Sequence, residues 1–412
     1  LAYKRWKIER LGVNRSTGWL DLGEIGQEQS AMHENDGNRP EASSDDPAVY
    51  ADYNATAPLR PEARAAMLEA FGQPGNPSSV HRRGRTARAR LERARRQVAA
   101  FIGAEAEQVI FTSGGTEADL LALCGTDRKR VLVSAIEHDA VLAAVDDAER
   151  IPVQADGLVD LTALASLLEA SNEPALVSVM WANNETGVVQ PIAEVVHLAK
   201  QHGALVHSDA VQAAGKVALN FAGSGLDMMT ISAHKIGGPP GVGALLLRGG
   251  LSLRPMITGG GQERGRRSGT ENLPGIVGFG AAVEAASAGP EMEPASRLRD
   301  LFETRVLAAA PGARILGRSG PRLANTSCVV MPGVPAETQV MALDLEGIAV
   351  SAGSACSSGK VKRSHVIEAM EPGGPASATA IRISLGWLNV EADVDRLVEA
   401  WLRLYKRASG QG

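Results

Sequence analysis

Short unbroken apolar runs recur along the middle of the chain: VIFTS at 109–113, RVLVSA at 130–135, ALVSVMWA at 175–182, ALVHSDA at 204–210, MMTISA at 228–233 and VGALLLR at 242–248. Helical spacing fills stretches between them, as at 160–170 and 191–201. Continuous apolar strands alternating with helices predict a largely parallel sheet covered on both faces. Polar residues gather at the C-terminal ends of these strands, where open α/β sheets place their ligands. Ahead of the strands, PEARAAMLEAF predicts a helix opened by Pro61, whose missing N–H costs nothing in a first turn. Residues 86–101 predict a second helix, with arginines on one side and Ala, Leu and Val on the other.

The pattern changes near residue 290. A helical stretch at 291–308 leads to short strands around TSCVVMP and AIRISLG, with helices near 336–346, 362–370 and 391–407. This predicts a large domain over 62–289 and a smaller α+β domain over 290–412, against which residues 49–61 pack back. Active sites commonly occupy such an inter-domain cleft. Residues 1–48 lack a sustained period, and GQEQSAMHENDGNRPEASSDD is polar and turn-rich, which predicts disorder. The chain starts with Leu1 and its first methionine is Met32, so it is either a fragment or carries an extension assigned upstream of the true start. Glu9, Asp21, Glu24 and Glu28 weigh against an organelle-targeting peptide.

Composition narrows the class. A formal net charge of −5 over 412 residues gives no global pull toward nucleic acid or anionic membrane. No segment offers the roughly 18 uncharged apolar residues of a membrane helix. Cys124, Cys328 and Cys356 cannot form a disulfide framework and lack zinc-site spacing, so a reducing, cytoplasmic setting and no metal are expected.

Several segments carry chemistry. In TISAHKIGGPPGVGALLL, Lys235 follows a strand end and precedes a glycine-rich turn; it is either a surface loop lysine or one aimed inward and used covalently. VHSDAVQAAGK puts Asp209 and Gln212 just after an earlier strand. A buried carboxylate to face a pyridine nitrogen, and a lysine to hold an aldehyde, are what pyridoxal 5'-phosphate needs. In FTSGGTEADLLAL, Ser113, Gly114, Gly115 and Thr116 join a strand to a helix start, suited to a phosphate dianion or to a purely geometric turn. His138 in SAIEHDAV is a helix cap or a ring over a flat cofactor. Asn184 in WANNETG is a turn residue or an amide for a ring oxygen. Arg382 in IRISLG is a paired interior cation or a carboxylate clamp. Cys356 in SAGSACSSG sits among small residues, the setting of an accessible thiol, whereas Cys124 and Cys328 read as packed.

Together DYNATAPL, GNPSSVHRRG, FTSGGTEAD, EHDAV, ANNETGVVQPI, HSDAVQAAGK, SAHKIGGPPGVGAL, GGGQERGRRSGTEN, GSACSSG and RISLG resemble, in order, the cysteine desulfurases of the NifS/IscS type, within the class V aminotransferase-like pyridoxal-phosphate enzymes. The resemblance spans about residues 50–405. It implies the aspartate aminotransferase-like PLP-dependent transferase fold. It implies that Lys235 carries the cofactor, Asp209 partners its ring nitrogen and His138 stacks on the ring. Gln212 and Asn184 then face the phenolic oxygen side, while Gly115, Thr116, Ser232 and His234 form the phosphate pocket. Thr270 is implied as a phosphate contact donated by a second subunit, hence a homodimer. Arg382, helped by Asn54, is implied as the substrate carboxylate clamp and Cys356 as the persulfide-forming nucleophile. The implied reaction converts L-cysteine to L-alanine and passes sulfur to an acceptor, for iron–sulfur cluster assembly or other thiolation.

Three departures stand out: Leu120 where the family commonly shows Asn, Pro240 where Lys is usual, and Trp387 in a region usually more polar. Rival readings are a selenocysteine lyase on the same cofactor and a non-catalytic scaffold for a sulfur-transfer partner. The arginines Arg82, Arg83, Arg85, Arg88 and Arg90 accompany no nucleic-acid recognition module and read in part as a solvated helix face.

Overall fold

The apolar runs become strands of three sheets in the computed structural model, which describes residues 49–287, 291–353 and 363–410. In chain order the strands are β1 (Val49–Tyr50), β2 (Val109–Thr112), β3 (Arg130–Ser134), β4 (Glu149–Ile151), β5 (Ala175–Ser178), β6 (Leu205–Asp209) and β7 (Met228–Ser232). They continue as β8 (Gly243–Leu247), β9 (Arg314–Leu316), β10 (Thr326–Val330), β11 (Ile348–Ala349), β12 (Ser351–Ala352) and β13 (Ala380–Ser384). The central sheet has seven strands in the order β2-β8-β7-β6-β5-β3-β4. β7, β6, β5, β3 and β4 pair in parallel, and β8 runs against both of its neighbours. The mainly parallel α/β sheet of the sequence reading is thus present, with VGALLLR as its one reversed strand.

β2, β5, β6, β7 and β8 are buried along their whole length, which is why they read as unbroken apolar runs. One face packs under the helix Arg82–Ile102 through Leu91, Val98 and Ile102, joined by Phe279 and Val283 of the helix Leu273–Ser287. The other face covers Leu121, Leu123 and Val133. The helix Leu273–Ser287 was not anticipated. Its run LPGIVGFGAAVEAAS is apolar nearly all round, so no 3.6-residue alternation marks it. The arginine-rich helix presents a charged face, with Arg90 on Glu69 at 2.5 Å and Arg88 on Glu92 at 3.3 Å.

A second core gathers Phe302 and Val306 of the helix Met292–Ala309, Leu397 and Trp401 of the helix Glu391–Ala408, and Val329 and Ile381. Its sheet is antiparallel, in the order β12-β13-β10-β9. β1 pairs in parallel with β11, Val49 opposite Ile348, and Asp52 bridges to Ser384. The N-terminal segment therefore crosses from this second core to the C-terminal ends of the central strands, carrying Asp52 and Asn54.

Candidate active site

The C-terminal ends of the central strands open on a cavity of about 510 Å³. Lys235 reaches it from the turn after β7, Asp209 from the end of β6, and His138 from the loop after β3. Gly115 and Thr116, Asn184 and Gln212, and Ser232 and His234 line it too, as do Asn54 and Arg382 from the second core's side. One of the expected residues stands apart. Thr270 is exposed in the loop after the turn at Gln262–Gly265 and does not line this cavity. Cys356 lies outside the described residues.

Local sequence explains the placements. The helix Gly115–Gly125 begins just past the end of β2, and Gly115 and Thr116 of its first turn, whose N–H groups have no intrahelical partner, line the cavity. Gly243 must lack a side chain here, because a Cβ would lie 2.6 Å from the Gly114 carbonyl carbon. Glu117 ties this turn down: it accepts from Ser113 N–H at 2.7 Å and from Arg267 Nε at 2.8 Å. Burial pushes the Glu117 carboxyl up, but Arg267 and Ser113 outweigh it and hold it below the usual range. His138 Nδ1 accepts from Ala140 N–H at 3.1 Å, capping a short helix while the ring borders the cavity. The cap and cavity readings of this residue coincide.

The charged groups are arranged around Asn54. Lys235 Nζ donates to Asn54 O at 2.6 Å and Ala55 O at 2.8 Å. Gln212 Nε2 donates to Asn54 O at 2.8 Å. The Asn54 amide is itself spent inside the protein: Nδ2 donates to Thr326 Oγ1 at 2.9 Å and Asn184 O at 3.3 Å, and Oδ1 accepts from Lys216 and Asn325. Arg382 donates from Nη2 to Asp52 Oδ1 at 2.6 Å and from Nη1 to Asn184 O at 3.0 Å. Its buried Nε has no hydrogen-bond partner among the described residues.

Burial raises the Asp209 carboxyl, while the Val211 N–H, His138 and Lys235 hold it down. Asp119, beside it on the cavity wall, is pushed well above the carboxylate range by burial and then by the Asp209 charge. Both carboxyls are thus pushed upward, Asp119 the further, with His138 and Lys235 opposing the rise at Asp209. His207 beneath them is lowered to about 3 by burial and bridges Ser178 Oγ and Thr230 Oγ1 as a neutral ring. His234 is lowered to about 4 by burial and then by Lys235. Cys328 is buried and its thiol is pushed upward, and burial likewise raises the Cys124 thiol. Neither is a ready nucleophile.

The arrangement brings an amine, a buried carboxylate, a helix start and a guanidinium to one cavity. Sequence reasoning passed over Asp52, Asp119 and Lys216, although each lies within a motif singled out there. Among the described residues no group of three or more His, Cys, Asp or Glu side chains is placed to hold a metal. Among them, too, no helix is long and apolar enough to cross a membrane.

The family model for aminotransferase class V matches residues 49–397. The chain belongs to that family. Within it, this class-V chain is 48% identical over 366 residues to a cysteine desulfurase of Cereibacter sphaeroides, covering 85% of the chain and 94% of the relative. It is 41% identical over 366 residues to the cysteine desulfurase NifS of Azotobacter vinelandii, covering 85% and 90%. Among solved structures, a NifS-like protein from Rickettsia africae superposes with a TM-score of 0.82 at 36% identity, over 87% of this chain and 99% of that one. The resemblance to the NifS type and the PLP-transferase fold expected from sequence are both borne out.

Proposed function

We propose that the chain is a pyridoxal-phosphate-dependent cysteine desulfurase. The observation that carries this reading is the convergence of Lys235, Asp209 and Arg382 on one cavity whose wall includes Gly353. Cys356 follows Gly353 by three residues, within about 11 Å of chain.

The donor set fits the cofactor. Gly115, Thr116, Ser232 and His234 suit its phosphate, and Asp209 its ring nitrogen. His138, Asn184 and Gln212 suit the ring, and Lys235 the aldehyde carbon. When bound, pyridoxal phosphate supplies an electron sink for bonds broken at the substrate α- and β-carbons.

The protein's own groups do the rest. Arg382, which lines the cavity, takes the substrate α-carboxylate through its planar guanidinium. Asn54 serves as the scaffold around which Lys235, Gln212 and Arg382's partner Asn184 are set. Lys235, as the free amine, moves the proton from the substrate α-carbon. The Cys356 thiolate attacks the substrate sulfur: an S–S bond forms, the substrate C–S bond breaks, and its electron pair stays with the carbon fragment. Protonation of that fragment yields L-alanine and leaves a persulfide on Cys356. Thr270, exposed in its loop, is assigned to the phosphate site of a second copy. The acceptor is assigned to iron–sulfur cluster assembly or another thiolation, and the setting to the cytoplasm.

The test is alanine formation from L-cysteine by the loaded protein with a reducing thiol, run beside Cys356→Ala. Alanine from the parent alone supports the reading. No alanine from intact holoenzyme refutes it, and alanine from both removes Cys356 as the nucleophile.

A further inference from the structure

A second lysine borders the reaction centre and takes no part in the chemistry proposed above. Lys216 Nζ donates to Asn54 Oδ1 and to Gln212 Oε1, both at 2.7 Å. Lys235 Nζ meets the main-chain oxygen of the same Asn54 at 2.6 Å. Two amines therefore converge on one residue. Both lysines also line a cavity of about 20 Å³, room for a single water.

The contacts leave little freedom. A lysine offers only donors, so Lys216 forces the carbonyl ends of both amides toward itself. Gln212 Nε2 is thereby turned onto Asn54 O, and Asn54 Nδ2 onto Thr326 and Asn184. Replacing Lys216 with an apolar side chain strands Gln212 Oε1 and leaves Asn54 Oδ1 to Asn325 alone.

We infer that Lys216 is a positioning residue of this reaction centre, locking Asn54 and Gln212 and setting the basicity of Lys235 by placing a second amine beside it. The inference rests on reading Lys235 as the lysine that carries the cofactor. Although part of the side chain is accessible, burial of the ammonium, and then Lys235 and Arg382, push Lys216 well below the usual lysine range. Across the small cavity it also faces Arg60, Glu291 and Tyr53. Like charges this close disfavour double protonation by one to several pKa units. A desolvated amine next to another cation is one way a lysine is kept as free base near neutrality. The two amines share their protons as a unit, and the arrangement with the remaining proton on Lys216 leaves Lys235 the free base that moves the α-proton.

Two measurements test this. In the cofactor-free full chain, pH-dependent acetylation followed by peptide mapping reports both lysines. At least one half-labels a pH unit or more below the ordinary value of about 10.4, and the Lys235 midpoint rises in Lys216→Met but stays near the parent's in Lys216→Arg. In the holoenzyme, the pH midpoint of the cofactor absorbance band rises by about one unit in Lys216→Met. Ordinary titration of both amines, or midpoints indifferent to Lys216→Met, overturns the inference. If Lys216→Met yields no folded protein, the parent's labelling curve decides on the first criterion alone. Borohydride reduction and peptide mapping check the underlying reading separately. Cofactor on another lysine overturns both, whereas cofactor on Lys235 with no shift in Lys216→Met overturns the Lys216 inference alone.

Discussion

Replacing Glu263 with glutamine removes one charge from a buried ion pair. Arg95 and Glu263 are 5% and 2% exposed at their side chains and joined by two 2.7 Å bonds, and Glu263 also accepts from Phe111 N–H at 2.9 Å. Glu263 and Arg264 hold φ of 45° and 59°, left-handed values that cost non-glycine residues about 1–3 kcal/mol each. The ion pair has to outweigh that strain to fix the turn that leads to Arg267 and Thr270. Stripping one partner from a buried pair costs about 3–5 kcal/mol. Glutamine keeps the Phe111 bond and one bond to Arg95, and Glu92 remains 3.2 Å from Arg95 Nε. The low end, about 3 kcal/mol, is therefore expected, a hundredfold change in the folding equilibrium. Urea unfolding at fixed protein concentration measures it, alongside Arg95→Met and the double variant. The double variant should lose clearly less than the sum of the singles, since it leaves no unpaired charge. A loss under about 0.5 kcal/mol in Glu263→Gln, or additivity in the cycle, refutes the argument that this pair holds the strained turn.

The remaining predictions concern two buried acids that touch lining residues of the cavity, Glu137 at Met180 and Glu185 at Gly353. Glu137 is raised to about 8 by burial, against 4.5 ordinarily, while Ser134 Oγ and Met180 N–H both donate to Oε1. Between those values the folded state holds a proton that the unfolded state has released. Its stabilising contribution is therefore full below pH 4.5 and declines as pH rises toward 8. From pH 6.5 to 8 the parent should lose stability relative to Glu137→Gln, by up to about 1.4 kcal/mol per pH unit; parallel unfolding curves for the two proteins would remove the protonated Glu137. At Gly353 a Cβ would fall inside contact distance of Glu185 Oε2. Gly353→Ala should cost about 1–3 kcal/mol in thermal unfolding, and pairing it with Glu185→Ala should lose less than the sum; strict additivity would mean the two do not touch.

What the sequence made legible follows from where the information sits. Asp209 ends a buried apolar strand and Lys235, His138 and Thr116 lie in the turns just after one, and a strand's end is readable from the run before it. Once a parallel sheet is inferred, its strand ends share one edge, so residues from distant segments were brought together without any knowledge of their contacts. The short strands Arg314–Leu316 and Ser351–Ala352 and the helix Leu273–Ser287 escaped, because two or three residues carry no period and an all-apolar helix carries none either.

Partnership was illegible for a different reason. Arg382 was left open between paired cation and clamp, and the structure shows the pairing: Asp52, 330 positions away, takes one nitrogen while Nε stays unspent. Asn54 was expected to hold substrate, yet its four amide contacts are all internal, and the residue responsible for one of them, Lys216, lies 162 positions on. No spacing rule links such residues, because the turns between them set the distance. A site's chemistry can therefore be read from residue types at strand ends. Its electrostatics cannot, since which charge neutralises which is decided only when the N-terminal segment crosses from β1 to the cavity. The amines and carboxyls with the largest shifts, Lys216, Asp119 and Glu137, are accordingly the ones the sequence left without a role.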